Sequence, residues 1–213
     1  DTSYPKKEVI SLTRDEIFYW ADRESTSRKK ALIMFLFDSG CRAEEFINIR
    51  MKHVTYDQHE ESYKIRIEYS KTTPRTIFIP IATESLRNYL AMHDDKDNPN
   101  SQLFRTTYNS LRVFIAKSSK NILKKRITPH IMRHSSATYY CTKINPYQLC
   151  HRYGWSMASN MPQFYIDREG LPDKDTTKAV KIERSDELTN ENRKLKEDMF
   201  MLKSNMTEME KRF

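Results

Sequence analysis

The sequence predicts a mainly α-helical domain with a small antiparallel β-hairpin or sheet, followed by a C-terminal coiled-coil helix. Apolar residues recur at helical spacing through most of the first 170 residues, one segment alternates with a period of two, and the residues from Leu188 onward keep a heptad pattern. Residues 171–181 are polar and contain proline, which is typical of a linker. We therefore expect a globular domain at 1–170, a linker at 171–181 and a helix at 182–213.

Helix start and stop signals divide the beginning of the domain into three helices. Thr13 and Glu16 have the spacing of a capping box and precede an apolar run. A second helix is predicted from Thr26 to Ser39, ending at Gly40. A third is predicted to begin near Ala43.

The apolar period then changes from 3.6 to 2, which is typical of strands. Apolar side chains alternate with polar ones in a first run, at Tyr63, Ile65, Ile67 and Tyr69. After a turn at residues 71–74, a second β run extends from Thr76 to Ile79. These two runs predict a hairpin.

The rest of the domain is again predicted to be helical. Pro129 is expected in the first turn of its helix, where its missing N–H costs nothing. The expected helices are Thr83 to His93, Tyr108 to Leu123, Pro129 to Thr142, Tyr147 to Tyr153 and Asn160 to Ile166.

The C-terminal segment has the pattern of a short coiled coil. One core position is filled every seven residues by Leu188, Leu195, Leu202 and Met209, and the alternate one by Asn192, Met199, Met206 and Phe213. A buried asparagine in such a repeat specifies register. The segment therefore predicts self-association, and the alternative is a lone amphipathic helix that packs back on the domain.

Charge favours a polyanionic partner. The net charge is +8 and the isoelectric point is about 9.3, which is typical of nucleic-acid-binding domains. A basic cluster, with Arg75 in addition, is expected to contact the phosphates of a nucleic acid, which position a protein but carry little sequence information. The cluster consists of Lys120, Lys124, Lys125 and Arg126.

Other features exclude several classes of protein. The three cysteines form no CxxC pair, which favours a reducing compartment, and no zinc-ligand spacing occurs, so we expect no metal. No apolar run is long enough to span a membrane and no secretory signal is visible. We expect a cytoplasmic or nuclear protein that is not secreted and, since the chain begins with Asp1, a fragment of a longer one.

Four short sequence motifs occur along the chain in an order that is informative about function. They are Gly40-Cys41-Arg42-Ala43-Glu44-Glu45, Lys71 followed by Arg75, Thr128-Pro129-His130-Ile131-Met132-Arg133-His134, and Gly154-Trp155 followed ten residues later by Tyr165. No single element is diagnostic, but the ordered set is specific. Over residues 10–168 the chain resembles the catalytic domain of tyrosine recombinases, the phage integrase family.

The resemblance implies phosphoryl transfer on double-stranded DNA without metal or other cofactor. Arg42 and Arg133 are expected to bind the non-bridging phosphate oxygens, because guanidinium groups offer forked donors and stay charged at physiological pH. Tyr165 is expected to attack the phosphate and form a 3′-phosphotyrosine, which stores the bond energy for rejoining.

The resemblance gives further residues a role in the same site. His130 is expected to hydrogen-bond the phosphate or take part in proton transfer, and Lys71 to protonate the leaving 5′ oxygen. Trp155 is expected to donate its indole N–H to the phosphate, where many relatives carry histidine. Glu45 is expected to orient its neighbours, and His134 to be a buried structural group.

Some features depart from the family pattern. Tyr153-Gly154-Trp155 stands where Leu-Gly-His is usual, which suggests a viral or archaeal integrase, and the gap to Tyr165 is about one residue long and contains Pro162. Tyr139 and Tyr140 compete with Tyr165, but they precede the tryptophan. The separate N-terminal core-binding domain of the family is not represented in these residues.

Three functions remain open at the level of sequence. The first is site-specific recombination by a tetramer through a Holliday junction, with the C-terminal helix as an assembly element. The second is DNA relaxation of the type IB topoisomerase kind, which needs no partner site. The third is a non-catalytic DNA-binding protein, whose signature would be loss of the tyrosine or an arginine.

Overall fold

The computed structural model describes residues 10–69 and 74–168, apart from the side chain of Arg168. The chain divides into two units, residues 1–165 and 166–213, and of the second only the end of one helix is described. The predictions for Lys71, for the 171–181 linker and for the 182–213 coiled coil lie outside the described residues.

Helices dominate the described part, as predicted. Within it the chain forms eight α-helices: α1 (Arg14–Asp22), α2 (Ser27–Ser39), α3 (Ala43–Ile47), α4 (Thr83–Ala91), α5 (Tyr108–Leu123), α6 (Pro129–Cys141), α7 (Pro146–Tyr153) and α8 (Met161–Arg168). A single turn of 3₁₀ helix at Met51–His53 follows α3.

Side-chain caps explain where several helices begin. The Thr13 hydroxyl accepts the Glu16 N–H while the Glu16 carboxylate accepts the Thr13 N–H, so the predicted capping box is confirmed. Thr26, Thr128 and Asn145 cap α2, α6 and α7 in the same position. Such a cap satisfies a backbone donor that the helix itself leaves unpaired.

The sheet has three antiparallel strands in the order β1-β2-β3, where β1 is Val54–Asp57, β2 is Ser62–Ile67 and β3 is Arg75–Phe78. The predicted hairpin corresponds to β2 and β3, with Ile65 opposite Ile77. Strand β1 was not predicted. It has four residues and exposes both central ones, Thr55 and Tyr56, so it lacks an apolar alternation.

Helix α2 lies at the centre of the described part of the first unit. Every residue from Ala31 to Gly40 is buried, and the helix packs against α1, α4 and α6. A helix that is apolar on all sides is stable only when it is surrounded in this way. The end of α2 is therefore fixed in the core, and the residues that follow it start from a rigid position. None of the described helices is long and apolar enough to cross a membrane.

A left-handed glycine ends α2 in a crowded place. Gly40 has φ +56°, a conformation that disfavours residues with a Cβ. A Cβ built there would lie 2.3 Å from Cε1 of Tyr153 and 2.8 Å from Oγ of Ser136. Only glycine therefore allows α6 and α7 to approach the end of α2 this closely.

We expect Gly40→Ala to lower the free energy of unfolding by about 3 kcal/mol, through left-handed strain and overpacking together. Urea denaturation measures the loss. Lys124, an exposed residue with φ +57°, provides the control, since Lys124→Gly compared with Lys124→Ala reports the backbone strain alone. A Gly40→Ala loss no larger than that difference would contradict the crowding argument.

Candidate active site

An open cleft of about 410 Å³ brings three of the predicted residues together. Arg42 precedes α3, while His130 and Arg133 lie in the first turns of α6. The cleft is lined by Arg42, Ala43, Glu44, Tyr108, Arg112, Thr128, Pro129, His130 and Arg133. The arginine side chains in this lining can bind an anionic group.

The Arg133 side chain is held by backbone carbonyl groups at the ends of two helices. Its guanidinium donates to the carbonyl of Gly40 at 2.7 Å and to the carbonyl of Tyr153 at 2.6 Å. Burial, and then the nearby charge of Arg42, lower its pKa to about 10, so it remains a cation at neutral pH. The side chain is 8% exposed and is fixed before any ligand enters.

Glu45 neutralises part of this positive charge. One carboxylate oxygen accepts the backbone N–H of Arg42 at 2.8 Å, and the other accepts its guanidinium at 3.0 Å. Glu45 is 2% exposed, whereas the Arg42 side chain is 31% exposed. The carboxylate therefore holds an arginine whose side chain still reaches the cleft.

Arg75 does not lie on the protein surface, where the expected contact with DNA would require it to be. Its guanidinium forms a two-pronged ion pair with Glu45, at 3.0 and 2.8 Å, and its Nε donates to the Arg152 carbonyl at 2.8 Å. The Arg75 side chain is 2% exposed. The expectation of a DNA contact is corrected, because Arg75 fixes the position of Glu45 from inside the fold.

A stack of aromatic rings lies beside Arg133. Trp155 stacks on Tyr153 with 4.8 Å between ring centroids and on Tyr165 with 5.6 Å and nearly parallel planes. The Arg133 guanidinium carbon lies 5.8 Å from the Trp155 ring centroid and 5.2 Å from that of Tyr153. Tyr165 is therefore one ring away from the arginine of the cleft.

His134 differs from the buried structural group that we expected. It is half-exposed, and its Nδ1 lies 2.5 Å from the hydroxyl oxygen of Tyr165. Its ring also meets that of His130, one turn earlier, edge to face at 4.6 Å. His130 is exposed in the cleft, whereas Tyr165 as a residue is only 2% exposed. The two histidines therefore connect the cleft with the buried tyrosine.

The competing tyrosines have structural partners. The Tyr140 hydroxyl donates to the buried carboxylate of Asp38, and burial raises its pKa far above the usual range. Tyr139 packs against Phe37 with 5.6 Å between centroids. Both contacts fix α6 against α2, so these two tyrosines have a structural role in the core.

The basic cluster lies apart from the cleft. Lys120, Lys124, Lys125 and Arg126 are all exposed, but Lys125 forms an ion pair with Glu16. Helix α5 lines the cleft near its start, through Tyr108 and Arg112. None of these four residues lines the cleft, although Arg126 lies only two residues before Thr128, which does.

Sequence reasoning missed Tyr108 and Arg112. They are one helical turn apart, and both are exposed, a spacing that puts two side chains on one face. That spacing was visible in the sequence, but only the fold brings the start of α5 beside α6. Within residues 10–69 and 74–168, no group of three or more His, Cys, Asp or Glu side chains could hold a metal ion.

Comparison with known proteins identifies a family and a fold. The sequence profile described as "Phage integrase family" matches residues 12–169. Comparison with curated proteins gave no match.

The crystal structure of XerA recombinase has a TM-score of 0.64 and 22% identity over 76% of this chain. The XerH site-specific recombinase, bound to palindromic difH substrate in a post-cleavage complex, has a TM-score of 0.60 and 19% identity over 83% of the chain. A lambda integrase dimer bound to a COC′ core site has a TM-score of 0.54 and 17% identity over 78% of the chain. The chain spans 60%, 55% and 62% of those proteins, respectively, and the similarity shows a shared fold.

We expect Glu45→Ala to lower the free energy of unfolding by about 3–5 kcal/mol, because it leaves the buried guanidinium of Arg75 without its counter-charge. Urea denaturation measures the effect. The control is Arg66→Ala, which removes an exposed pair with Glu68 and should cost less than about 1 kcal/mol. Equal losses in the two variants would contradict a structural role for the buried pair.

Proposed function

The chain belongs to the phage integrase family, and from that premise we propose that it is a site-specific DNA recombinase that acts through a 3′-phosphotyrosine intermediate. The observation that carries the proposal is the convergence of Arg42, His130 and Arg133 on one cleft, with Tyr165 one aromatic ring behind Arg133. The substrate is a phosphodiester of double-stranded DNA.

The two arginines bind the phosphate that reacts. In the transition state negative charge accumulates on the non-bridging oxygens, and donors already aimed at them need not reorganise. Arg133 is fixed by two carbonyls and Arg42 by a carboxylate. Such donors are typically worth about 2.7–4 kcal/mol each at the transition state, which allows the reaction to proceed without a metal.

Tyr165 attacks the phosphorus, and the bond to the 5′ oxygen breaks. The protein then holds the DNA 3′ end as a phosphodiester of tyrosine, so rejoining requires no ATP. Strand exchange between two cleaved duplexes gives a Holliday junction.

Other groups complete the site. His130, exposed in the cleft, hydrogen-bonds a phosphate oxygen. Trp155 fixes the plane of the Tyr165 ring by stacking and offers its indole N–H to the phosphate. Lys71, assigned by resemblance and outside the described residues, protonates the leaving 5′ oxygen.

Charge and relatives support DNA as the partner. The net charge is +8, and the exposed basic residues at and after the end of α5 add positive charge that a duplex extending beyond the cleft can contact. The XerH and lambda integrase structures are complexes with DNA, and the latter is a dimer. We propose a tetramer on two duplexes, the assembly that the family resemblance implies, in the cytoplasm or nucleus.

We expect wild-type protein to form a denaturation-resistant adduct with nicked suicide DNA that carries target sequence from the parent element, in the presence of EDTA. Tyr165→Phe should form none, because it lacks the nucleophilic oxygen. Tyr139→Phe serves as the matched control and should retain the adduct. Gel electrophoresis of labelled DNA after denaturation measures each variant.

Three results would contradict parts of the proposal. An adduct that survives Tyr165→Phe would mean that another residue is the nucleophile. DNA binding by wild type without any adduct would favour a non-catalytic protein. Adducts at all sequences alike, with relaxation of supercoiled DNA, would favour a topoisomerase-like enzyme.

We further propose that residues 182–213 assemble the protein as a coiled coil. Leu195→Asp with Leu202→Asp should lower the oligomeric state, since charges at core positions oppose helix pairing. Sedimentation velocity measures this, and Ser204→Asp, at a position outside the heptad core, should leave assembly unchanged. An unaltered oligomer in the double variant would favour a lone helix.

A further inference from the structure

The hydroxyl of Tyr165 has a basic group in direct contact. Nδ1 of His134 lies 2.5 Å from the phenolic oxygen, and the two rings are 5.6 Å apart between centroids. A nucleophilic tyrosine must lose a proton, yet a free phenol has a pKa near 10. A neutral imidazole with its proton on Nε2 presents a free lone pair at Nδ1, which can accept that proton.

Other ring neighbours of the phenol are less suitable acceptors. The indole nitrogen of Trp155 is only a donor, and this ring stacks on the face of Tyr165. His130 contacts the ring of His134 and faces the open cleft. Because Tyr165 is 2% exposed, water also has little access to the side chain.

We propose that His134 is the general base that takes the phenolic proton of Tyr165 when the tyrosine attacks DNA. This inference rests on the proposed function. The proton moves from the Tyr165 oxygen to Nδ1 of His134 as the oxygen–phosphorus bond forms and the bond to the 5′ oxygen breaks. In rejoining, the imidazolium returns the proton to the tyrosine oxygen as the phosphotyrosine bond breaks.

The two histidines of α6 then have separate tasks. They lie four residues apart and therefore project from the same face of the helix. His130, at the exposed end of the pair, binds the phosphate, and His134, at the inner end, handles the proton. An imidazole suits the second task because its ordinary pKa of about 6.5 lies near the working pH.

Two substitutions separate proton transfer from positioning. In His134→Asn, the amide oxygen can occupy the place of Nδ1 and accept the tyrosine hydrogen bond, but it cannot take the proton. His134→Ala removes both capacities. His59→Asn is the matched control, since His59 has a 93% exposed side chain in the turn between β1 and β2.

The experiment measures the rate of adduct formation with suicide DNA under single-turnover conditions. General bases typically contribute about 10²–10⁴-fold, so His134→Asn and His134→Ala should both lose about a hundredfold or more. His59→Asn should match wild type. Thermal unfolding and DNA affinity are measured for each variant, so that a folding defect is not mistaken for a chemical one.

A fluorinated tyrosine tests the same point independently of folding. Replacement of Tyr165 with 3,5-difluorotyrosine lowers the pKa of the phenol, because fluorine withdraws electrons, and a phenol that ionises more readily depends less on a base. In the His134→Asn background this residue should recover about tenfold or more of the lost rate. A purely structural role for His134 predicts no such recovery.

The outcomes distinguish this inference from the proposed function. If wild type forms the adduct and His134→Asn reacts within about threefold of it, His134 only positions the tyrosine and the inference is wrong. If the variant is slow but difluorotyrosine restores nothing, the inference is also wrong. If wild type forms no adduct, the proposed function itself fails, and the general base with it.

Discussion

The site depends on the hydrogen bonds by which Arg133 joins the ends of two helices. Its guanidinium donates to the carbonyl of Gly40, which directly follows α2, and to that of Tyr153, the last residue of α7. Each of these helices is capped by a left-handed glycine. Helix carbonyl ends carry partial negative charge, which favours a buried cation there. One side chain therefore fixes three helices and presents a positive charge to the cleft.

That arrangement concentrates positive charge, and Glu45 compensates for it. The carboxylate pairs with Arg42 on its exposed side and with Arg75 on its buried side. Arg75 in turn binds the carbonyl of Arg152, next to the carbonyl that holds Arg133. The charges form a connected network, in which a buried ion pair orients the cation that faces solvent. Its value is geometric, since a buried ion pair stabilises a fold little more than an apolar pair of the same volume would, although removal of one partner alone is costly.

The aromatic stack connects this network to the candidate nucleophile. Tyr153 supplies a carbonyl to Arg133 and a ring to Trp155, and Trp155 in turn supports Tyr165. From the other side Tyr165 meets His134, a neighbour of Arg133 on α6. The groups proposed to bind phosphate and to attack it therefore share the same supports, so small shifts of α6 or α7 alter both together.

The sequence by itself determined the mainly helical fold, most helix positions and the family, because caps, apolar periods and ordered motifs are local signals. It placed Arg42, His130 and Arg133 in one site through the motif alone. It missed strand β1, whose exposed residues carry no alternation, and it did not predict the burial of Arg75 or the partial exposure of His134. Burial and partners depend on residues far apart in the chain: Arg75 lies 30 positions from Glu45, and His134 lies 31 positions from Tyr165. Only the tertiary structure decided that one arginine faces a carboxylate inside the core and that one histidine faces the tyrosine hydroxyl.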